Sequence, residues 1–592
     1  MATRPTLTIP HYAELWCLSN FSFLRGASHP HELVERAHAQ GYRALALTDE
    51  CSLAGIVRAH VAARDCGLPL IVGAQFEVQP SDAAAPAFTL VALACNLHGY
   101  GNLCALITQL RRKSPKGSYA LAQSAIHPRA LQDCLLLLAP SRQASPAQIQ
   151  AQAAWLQQHF AGRCWLAVQL DRSLGDEAWL AQMRAAGSSS GAPLVAAGNV
   201  HMHVRSRKPM QDVLTAIRLR TPLTDCGYAL QPNAEQHLRS RLRLAQMYPP
   251  DLLEASLGIT ARCQFSLTEL RYQYPDEVVP PQLTPAAYLR QLSYEGAARR
   301  WPQGTPPKVQ ATLEKELALI SELQYEHYFL TVYDIVRFAR SKDILCQGRG
   351  SAANSAVCYC LHITEVDPDK TRVLFERFIS KERNEPPDID VDFEHARREE
   401  VIQYLYKKYG LHRAGLTAVV IRYRRKSAIR DVAKALGFAL PSIDLLARDH
   451  SRWDDELLRA EALAQCGLQA GDLAVRQLQE LVETLRDFPR HLSQHVGGFV
   501  LTRGPLSRIV PIERASMENR TVIQWDKDDL DAVGLLKVDV LALGMLTALQ
   551  KMLHLVGARQ GRSFALGDIP HGDKPTYDMI CAADTIGVLQ IE

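Results

Sequence analysis

Acidic and apolar residues alternate strictly over residues 388–394, Asp-Ile-Asp-Val-Asp-Phe-Glu. Alternation with period two is typical of a β-strand that has one face in a core. The pattern predicts three carboxylates on one face and three apolar residues on the other: Asp388, Asp390 and Asp392 against Ile389, Val391 and Phe393. Such carboxylates repel one another, so we expect a cation among them, and Mg²⁺, held by one or two carboxylates plus substrate phosphates, is the candidate. The alternative is an exposed edge strand with its polar side in water.

The first 255 residues alternate short apolar runs with amphipathic helical patterns. Strands are predicted at 44–48, 70–73, 88–93, 134–139, 164–169 and 193–198, and helices at 30–40 and 55–66. This alternation indicates a parallel, barrel-like α/β domain. Polar residues follow three of these strands, at 48–50, 73–75 and 199–203. Strand ends of this kind are where α/β barrels place their sites.

A glycine-rich segment at 347–355, Gln-Gly-Arg-Gly-Ser-Ala-Ala-Asn-Ser, precedes an apolar helical run. A turn that opens a helix offers backbone N–H groups, the positive end of the helix dipole and the Arg349 guanidinium, which together suit a triphosphate. The alternative is an ordinary glycine turn in which a serine caps the helix. Upstream, residues 256–345 are mostly helical, and a proline-rich connector at 275–286 indicates a boundary.

Residues 399–409 predict an amphipathic helix that ends at Gly410, and residues 415–496 predict an inserted helical module. The module begins with a basic cluster around Tyr423. Its basic residues are Arg422, Arg424, Arg425, Lys426 and Arg430. Such a cluster is either a solvated face or a track for a phosphate backbone.

Two further features lie beyond this module. Gly497 and Gly498 beside His495 indicate that the backbone approaches a ligand closely. Asp539, in the run Lys-Val-Asp-Val-Leu, is either a third carboxylate for the aspartate strand or a strand-end cap.

Composition adds limits on the class of protein. The 592 residues are 47% hydrophobic and 22% charged, with a net charge of +4, which indicates several domains of about 150 residues and does not by itself require a nucleic-acid partner. The 14 cysteines form no CxxC pair, a usage that fits a reducing compartment better than a disulfide framework. Because the sequence has neither a signal core nor an apolar run of transmembrane length, we expect a cytoplasmic protein.

Between the Gly-Arg-Gly-Ser turn and the aspartate strand lie the basic residues Arg377, Lys381 and Arg383. Together with the turn, the aspartate strand and the separate aspartate, they match two-metal phosphoryl or nucleotidyl transfer. In that chemistry one metal activates an attacking hydroxyl and both stabilise charge on the phosphorus, while basic residues hold the leaving pyrophosphate. The motifs therefore indicate an enzyme of this class.

The order of the motifs also resembles a known family. GRGSAANS, FERF, PPDIDVDFE, HVGGFV, QWDKDD and LLKVDVLALGML resemble the catalytic half of the bacterial C-family DNA polymerases, the DNA polymerase III alpha subunits and their relatives. The segments YAELWCLSNFSFLRGAS, GRGSAANSAVCYCL and RYRRKSAIRDVAKALG are most similar to the error-prone, DnaE-like branch. The resemblance covers essentially the whole chain.

The resemblance implies an α/β multidomain protein with a barrel-like (β/α) PHP (polymerase and histidinol phosphatase) domain at its N-terminus. A polymerase beta-like nucleotidyltransferase palm of α+β type follows, with a helical thumb inserted in it. The expected ranges are 1–255 for the PHP domain, 256–414 and 497–560 for the palm, 415–496 for the thumb and 561–592 for the start of the fingers. Because family members continue into fingers, clamp-binding and OB-fold segments, a C-terminally truncated chain is expected.

Site residues are carried over motif by motif. The metal carboxylates are expected to be Asp390, Asp392 and Asp539, holding two Mg²⁺ ions, with Asp388 in a supporting role. The expected nucleotide and phosphate ligands are Gly348, Arg349, Gly350, Ser351, Arg383 and Lys537. The expected DNA-binding residues are Arg422, Arg424, Arg425, Lys426, Arg430, His495, Gly497 and Gly498.

The PHP domain departs from its family pattern. PHP domains with a working metal site share a His-x-His motif near the start of the domain. Here those positions are Trp16 and Leu18, neither of which can bind a hard or borderline metal ion. Gln75 and Asn199 stand where acidic residues are expected. The remaining ligands of an incomplete site are Asp49, Glu50, His201 and His203. We therefore expect a structural PHP domain without proofreading nuclease activity.

The expected function is template-directed DNA synthesis, error-prone and translesional, in the response to DNA damage. Its substrates would be dNTPs and primer–template DNA, its further partners a sliding clamp and mutasome proteins bound through the missing C-terminal part, and no membrane is involved. Two alternatives stay open: a PHP-type metal phosphoesterase that depends on Asp49, and a non-catalytic scaffold that binds DNA or polymerase partners through Arg424 and Arg425.

Overall fold

A computed structural model describes residues 9–370, 389–448, 458–570, 572–588 and 591. The chain divides into two compact units, the first formed by 1–273, 411–495 and 500–536, the second by 274–410, 496–499 and 537–592. The five ranges expected from the sequence are a finer division and stay a prediction. Within the described ranges, no helix has the length and apolar character needed to cross a membrane.

The secondary structure alternates strands and helices at first and is mostly helical later. The strands are β1 (Leu45–Leu47), β2 (Leu70–Gln79), β3 (Phe88–Ala94), β4 (Leu121–Ala122), β5 (Cys134–Ala139), β6 (Cys164–Val168), β7 (Leu194–Ala196), β8 (Cys346–Arg349), β9 (Asp390–Glu394), β10 (Ala414–Arg422), β11 (Pro489–Leu501), β12 (Ile512–Arg514), β13 (Thr521–Ile523) and β14 (Val538–Leu543). The helices are α1 (Pro30–Ala39), α2 (Ile56–Cys66), α3 (Leu97–Lys113), α4 (Pro146–Phe160), α5 (Asp176–Ser190), α6 (Lys208–Leu219), α7 (Arg241–Met247), α8 (Pro250–Arg262), α9 (Pro285–Arg300), α10 (Pro307–Glu322), α11 (Glu326–Ser341), α12 (Ala356–Cys360), α13 (Arg398–Tyr409), α14 (Arg425–Ala435), α15 (Leu440–Arg448), α16 (Ala460–Gln465), α17 (Leu473–Leu485), α18 (Lys527–Val533), α19 (Gly544–Gln560) and α20 (Lys574–Cys581).

The first unit contains a curled sheet in the order β1-β2-β3-β5-β6-β7, with β4 beside β2. The apolar run of β5 is buried throughout, as expected of a central strand covered on both faces. Glu14 bridges to β1, and Cys17 bridges to Val200 just beyond β7. The segment that carries these two residues therefore joins the two edges of the sheet, in agreement with the barrel-like domain predicted from the sequence.

The prediction of a parallel sheet is wrong for β3, which runs antiparallel to both β2 and β5. β2 continues to Gln79, and the link over 80–87 is too short for the crossover that parallel neighbours require. Residues 73–75 consequently lie inside β2 instead of at its end. The pairs β1–β2, β5–β6 and β6–β7 are parallel, as predicted.

The predicted helical module contains α14 to α17, but the strands β10 and β11 form its two ends. The four helices belong to the first unit, where they share one apolar core with α6 of the N-terminal region. Met210 and Val213 from α6 lie in this core with Val432 and Leu478 of the module.

The second unit combines the helices α9 to α13, α19 and α20 with three short strands. The helix predicted at 399–409 is confirmed as α13, which ends at Gly410 with φ +75°. Its buried face has the predicted apolar residues, Ile402, Leu405, Tyr406 and Tyr409.

Candidate active site

The predicted aspartate strand is β9, in the middle of the sheet of the second unit. It pairs antiparallel with β8 on one side and parallel with β14 on the other. The edge-strand alternative is therefore wrong. Ile389, just before the strand, and Val391 and Phe393 within it are buried, as predicted, so the alternation in the sequence directs one face of β9 into the core.

Strand register places four residues in one row across this sheet. Arg349 of β8 is opposite Asp390 of β9, Asp390 is opposite Asp539 of β14, and Asp539 is opposite Gly498 of β11. Residues paired in this way share a face of the sheet, and Asp392, two residues further along β9, is on the same face. The structure thus brings Asp539 beside Asp390, and Gly498 adds no side chain at the end of the row.

Two cations accompany these carboxylates. Arg349 Nε lies 3.0 Å from Asp392 Oδ2, and Lys537 Nζ donates to Asp539 Oδ2. The second carboxylate oxygen of Asp539, Oδ1, is buried and has no hydrogen-bond partner among the described residues. Burial raises the pKa of Asp392, while the Arg349 guanidinium opposes the rise and the Asp390 carboxylate adds to it.

The donor set fits a hard divalent cation. Carboxylate oxygens are the ligands that Mg²⁺ prefers, and Asp539 Oδ1 is a buried acceptor that a cation would satisfy. In the described ranges, no group of three His, Cys, Asp or Glu side chains is arranged as a metal site. Mg²⁺ does not need such a closed site, because it usually keeps water and substrate phosphates among its ligands. The row therefore fits a cation that binds together with a phosphate.

The Gly-Arg-Gly-Ser segment is divided between a strand and a 3₁₀ turn. β8 ends at Arg349, the turn covers Gly350–Asn354, and Gly350 has φ +64°. The following helix begins at Ala356, and Ser355 caps it through a side-chain hydrogen bond. The prediction that the turn opens the helix directly is wrong, because these five residues of 3₁₀ structure intervene.

Of the expected site residues, Asp388, Arg383 and the side chain of Ser351 lie outside the described residues. Packing within the fold explains why residue 348 is a glycine, because a Cβ there would lie 2.7 Å from the carbonyl oxygen of Ile363.

A buried glutamate of α10 holds the end of this segment. Glu316 accepts hydrogen bonds from Ser355 Oγ at 2.8 Å and from the backbone N–H groups of Ala356 and Val357 at 2.9 Å each. A carboxylate at the first turn of a helix also interacts favourably with the helix dipole. Sequence reasoning missed Glu316, although it stands in an otherwise apolar face of α10: Val309, Leu313, Leu317 and Ile320.

The side chains at the expected metal positions of the PHP domain are engaged in hydrogen bonds within the protein. Trp16 Nε1 donates to Gln75 Oε1, and His201 Nε2 lies 3.1 Å from Asn199 Oδ1. Burial lowers the pKa of His201 to about 4. The Nδ1 atom of His203 is 2.8 Å from Ser28 Oγ.

The two acidic residues of the same region also have partners. Asp49 accepts hydrogen bonds from Ser19 N at 2.8 Å, Ser19 Oγ at 2.8 Å and Ser22 Oγ at 2.7 Å. Glu50 forms an ion pair with Arg25, a residue that sequence reasoning missed. Because these acceptors are satisfied by serines and an arginine, the residues present do not fit a PHP metal centre.

The basic cluster belongs to the first unit and differs in one respect from the sequence prediction. Tyr423, the aromatic residue within it, is only 2% exposed and packs in the core. The side chain of Arg424 is 82% exposed and 3.9 Å from Asp487, and Arg430 lies 2.9 Å from Asp444. The DNA-binding role of the cluster stays a prediction.

Contacts within the sheet explain why β11 has glycines at 497 and 498. A Cβ at Gly497 would collide with the carbonyl oxygen of Val540 in β14, and Gly498 is paired with Asp539. The close approach that the sequence indicated is therefore to a neighbouring strand. Binding of DNA by His495, Gly497 and Gly498 stays a prediction.

Comparison with known proteins gives three matches to family models. The PHP domain matches residues 14–175, the bacterial DNA polymerase III alpha NTPase domain matches residues 287–542, and the finger domain of the bacterial DNA polymerase III alpha subunit matches residues 545–592.

Curated relatives match over nearly the whole chain. The error-prone DNA polymerase of Bordetella parapertussis is 59% identical over 592 residues, covering 99% of this chain and 56% of that protein. That of Dechloromonas aromatica is 56% identical over 590 residues, with shares of 99% and 56%. The chain thus spans about half the length of these relatives. Among solved structures, an amidohydrolase from Chromobacterium violaceum is 18% identical over 32% of this chain and 87% of that chain, with a TM-score of 0.24.

Proposed function

We infer that the chain belongs to the C-family of bacterial DNA polymerases, in its error-prone branch, and from this premise we propose that it adds deoxynucleotides to a primer 3′-hydroxyl under the direction of a template. The substrates are dNTPs and primer–template DNA, and the synthesis is error-prone and serves the response to DNA damage. The observation that carries the proposal is the row of Arg349, Asp390 and Asp539 across three strands, with Asp392 on the same face.

In this proposal Asp390, Asp392 and Asp539 hold two Mg²⁺ ions. Bound there, the ions would activate the primer hydroxyl and neutralise charge on the reacting phosphate. The carboxylates lie on a rigid sheet, so their positions do not have to be reorganised during the reaction. The uncompensated Asp539 Oδ1 supports a cation at this place.

Arg349 and Lys537 are proposed to bind the triphosphate. Each is paired with a carboxylate in the structure, and each can exchange that partner for a phosphate oxygen when a metal ion takes over the carboxylate. Arg349 suits this exchange because its side chain is 55% exposed and a guanidinium binds phosphate oxygens in pairs. Glu316 acts as a positioning residue, since it holds the turn that follows Arg349 through Ser355.

The basic cluster is proposed to follow the phosphate backbone of the DNA. Its residues are Arg422, Arg424, Arg425, Lys426 and Arg430, and His495, Gly497 and Gly498 are proposed as further DNA contacts. Contacts of Lys and Arg with phosphates release counterions, so binding should weaken steeply as the salt concentration rises. The PHP domain is proposed as a structural domain without nuclease activity, because Asp49 and Glu50 are engaged by Ser19, Ser22 and Arg25.

Primer extension tests the proposal. The 592-residue chain and the product of the gene read to its own stop codon are each assayed with Mg²⁺, a labelled primer–template and dNTPs. The Asp390→Asn/Asp392→Asn variant should lose at least about 100-fold of the incorporation rate, since it removes charge from the metal ligands. Asp343→Asn is the matched control, because Asp343 is an exposed aspartate of the same unit, 75% accessible.

The outcomes separate the alternatives. Extension that disappears in the double variant and persists in the control supports the polymerase. Extension that survives in the double variant contradicts the assignment of the metal carboxylates. DNA binding without extension by either form of the protein supports the scaffold alternative, in which Arg424→Ala/Arg425→Ala would abolish binding.

A further inference from the structure

A tyrosine side chain holds the aspartate strand at its start. Tyr328 lies near the beginning of α11, and its hydroxyl oxygen accepts a hydrogen bond from the backbone N–H of Ile389 at 2.8 Å. Both residues belong to the second unit, and both are completely buried. The contact therefore fixes the backbone one residue before Asp390.

This hydrogen bond forms at the point where the strand pairing begins. Among the described residues, the pairing of β9 with β8 and β14 starts at Asp390, which is opposite Arg349 and Asp539. Ile389 precedes this first paired residue, and a buried backbone N–H needs a partner because leaving it unpaired is costly. The Tyr328 hydroxyl supplies that partner.

The helix that carries the hydroxyl is itself held in place. The Tyr328 ring packs against the ring of Tyr274, with centroids 5.7 Å apart. One turn and a half further along α11, the buried Asp334 accepts hydrogen bonds from Tyr404 at 2.7 Å and from Lys408, both in α13. Helix α11 thus contacts the chain on both sides of β9, and its tyrosine hydroxyl is a fixed point for the start of the strand.

We propose that Tyr328 is a positioning residue for the metal carboxylates. The inference rests on the proposed function, in which Asp390 and Asp539 hold Mg²⁺. Without the hydroxyl, the buried N–H of Ile389 would have to move toward another acceptor, and Asp390, the next residue, would move with it relative to Asp539. Groups that orient metal ligands without touching the metal change its affinity when they are removed.

The first test is the Mg²⁺ dependence of primer extension by the product of the gene read to its stop codon. Tyr328→Phe removes the hydroxyl and keeps the ring against Tyr274. We expect the Mg²⁺ concentration for half-maximal extension to rise roughly 10-fold, and most of the wild-type rate to return at saturating Mg²⁺. Tyr333→Phe is the matched control, because Tyr333 is a tyrosine of the same helix whose ring contacts Arg337, and it should behave as the wild type.

The second test measures metal binding without catalysis. Electron paramagnetic resonance of unbound Mn²⁺ gives the dissociation constant of the 592-residue chain for the ion whose binding Asp390→Asn/Asp392→Asn abolishes. That constant should also rise roughly 10-fold in Tyr328→Phe and stay unchanged in Tyr333→Phe.

The Mg²⁺ profile distinguishes positioning from a general loss of structure. A less folded variant would lose rate at every Mg²⁺ concentration without a change in the half-maximal concentration, and that result would overturn the positioning role. Unchanged Mg²⁺ and Mn²⁺ dependence in Tyr328→Phe would overturn it too, while the loss of both in Asp390→Asn/Asp392→Asn would leave the polymerase proposal standing. A wild type with neither extension nor Mn²⁺ binding that depends on Asp390 and Asp392 would overturn both proposals. If extension alone is absent, the Mn²⁺ result decides the role of Tyr328.

Discussion

At the scale of single residues, the candidate site depends on charges that the sheet holds close together. Asp390 lies between Arg349 and Asp539 in one row across the sheet, and the ammonium group of Lys537 partly neutralises the charge of the Asp539 carboxylate. Both partners of the last pair are nearly buried, at 7% and 5% side-chain exposure. A buried charge without its partner is costly, so we expect Lys537 to link the stability of the second unit to the proposed binding of cations.

The first prediction concerns this pair. Lys537→Met should lower the free energy of unfolding by about 3 kcal/mol, because it leaves the Asp539 carboxylate buried and unpaired. Mg²⁺ should restore part of the loss by taking the place of the ammonium group. Urea unfolding with and without Mg²⁺ measures both effects.

Two further variants complete that experiment. Adding Asp539→Leu to Lys537→Met should recover most of the stability, since no buried charge then remains. Lys574→Met removes an exposed pair with Asp578 and should cost less than about 1 kcal/mol. A loss in Lys537→Met no larger than that of Lys574→Met would contradict the prediction.

A second prediction concerns pH and the first unit. Burial lowers the pKa of His201 from 6.5 to about 4, so between these values the unfolded chain binds a proton that the folded chain does not. Stability is therefore full above pH 6.5 and falls as the pH decreases toward 4, by about 3 kcal/mol for this residue. His201→Gln, which carries no titrating group, should flatten the stability curve in this window.

Denaturant unfolding at several pH values between 4 and 7 checks this effect. His159→Gln is the control, because His159 is an exposed residue of α4, and its curve should follow that of the wild type. Parallel curves for the wild type and His201→Gln would show that His201 does not contribute to the acid sensitivity.

At the scale of elements, hydrophobic periodicity predicts where strands and helices lie in the sequence, but it does not predict which strands pair or in which direction. β5 is found at the predicted residues 134–139, and α13 begins one residue before the predicted 399–409, because burial pattern and helix end are properties of the segment itself. The direction of β3 depends on the length of its link to β2, and the role of Gly497 depends on Val540 in another strand. Neither is encoded in the periodicity of its own segment.

The third prediction concerns Gly497 and the strand that carries Asp539. Gly497→Ala would drive a methyl group into the carbonyl oxygen of Val540 and should lower the free energy of unfolding by about 1–3 kcal/mol. It should also reduce primer extension, because β14 would have to move and Asp539 with it. Gly544→Ala is the control, since a Cβ at Gly544 meets no atom within 4 Å and alanine favours a helix. Equal stability of the two variants would contradict the prediction.

At the scale of the whole molecule, two buried aspartates, Asp49 in the first unit and Asp539 in the second, differ in their hydrogen bonding. In the first unit Asp49 is satisfied by hydrogen bonds from Ser19 and Ser22. In the second unit Asp539 keeps a buried oxygen without a partner among the described residues. Of these two carboxylates, that of Asp539 is the one that offers a divalent cation an acceptor without a partner among the described residues, so metal dependence should belong to activity and not to the fold of the first unit.

The fourth prediction follows from this difference. Exhaustive chelation of divalent metals should abolish Mg²⁺-dependent primer extension and leave the calorimetric unfolding of the first unit unchanged. The physical reason is that Trp16 hydrogen-bonds to Gln75, His201 hydrogen-bonds to Asn199, and Arg25 supplies the positive charge beside Glu50, so we expect these residues to need no metal. Elemental analysis of the purified chain should find less than one Zn²⁺, Mn²⁺ or Fe²⁺ per molecule, and adding these ions should not raise the midpoint. A metal retained in stoichiometric amount, together with a midpoint that falls by several degrees after chelation, would show that the first unit has kept a structural metal centre.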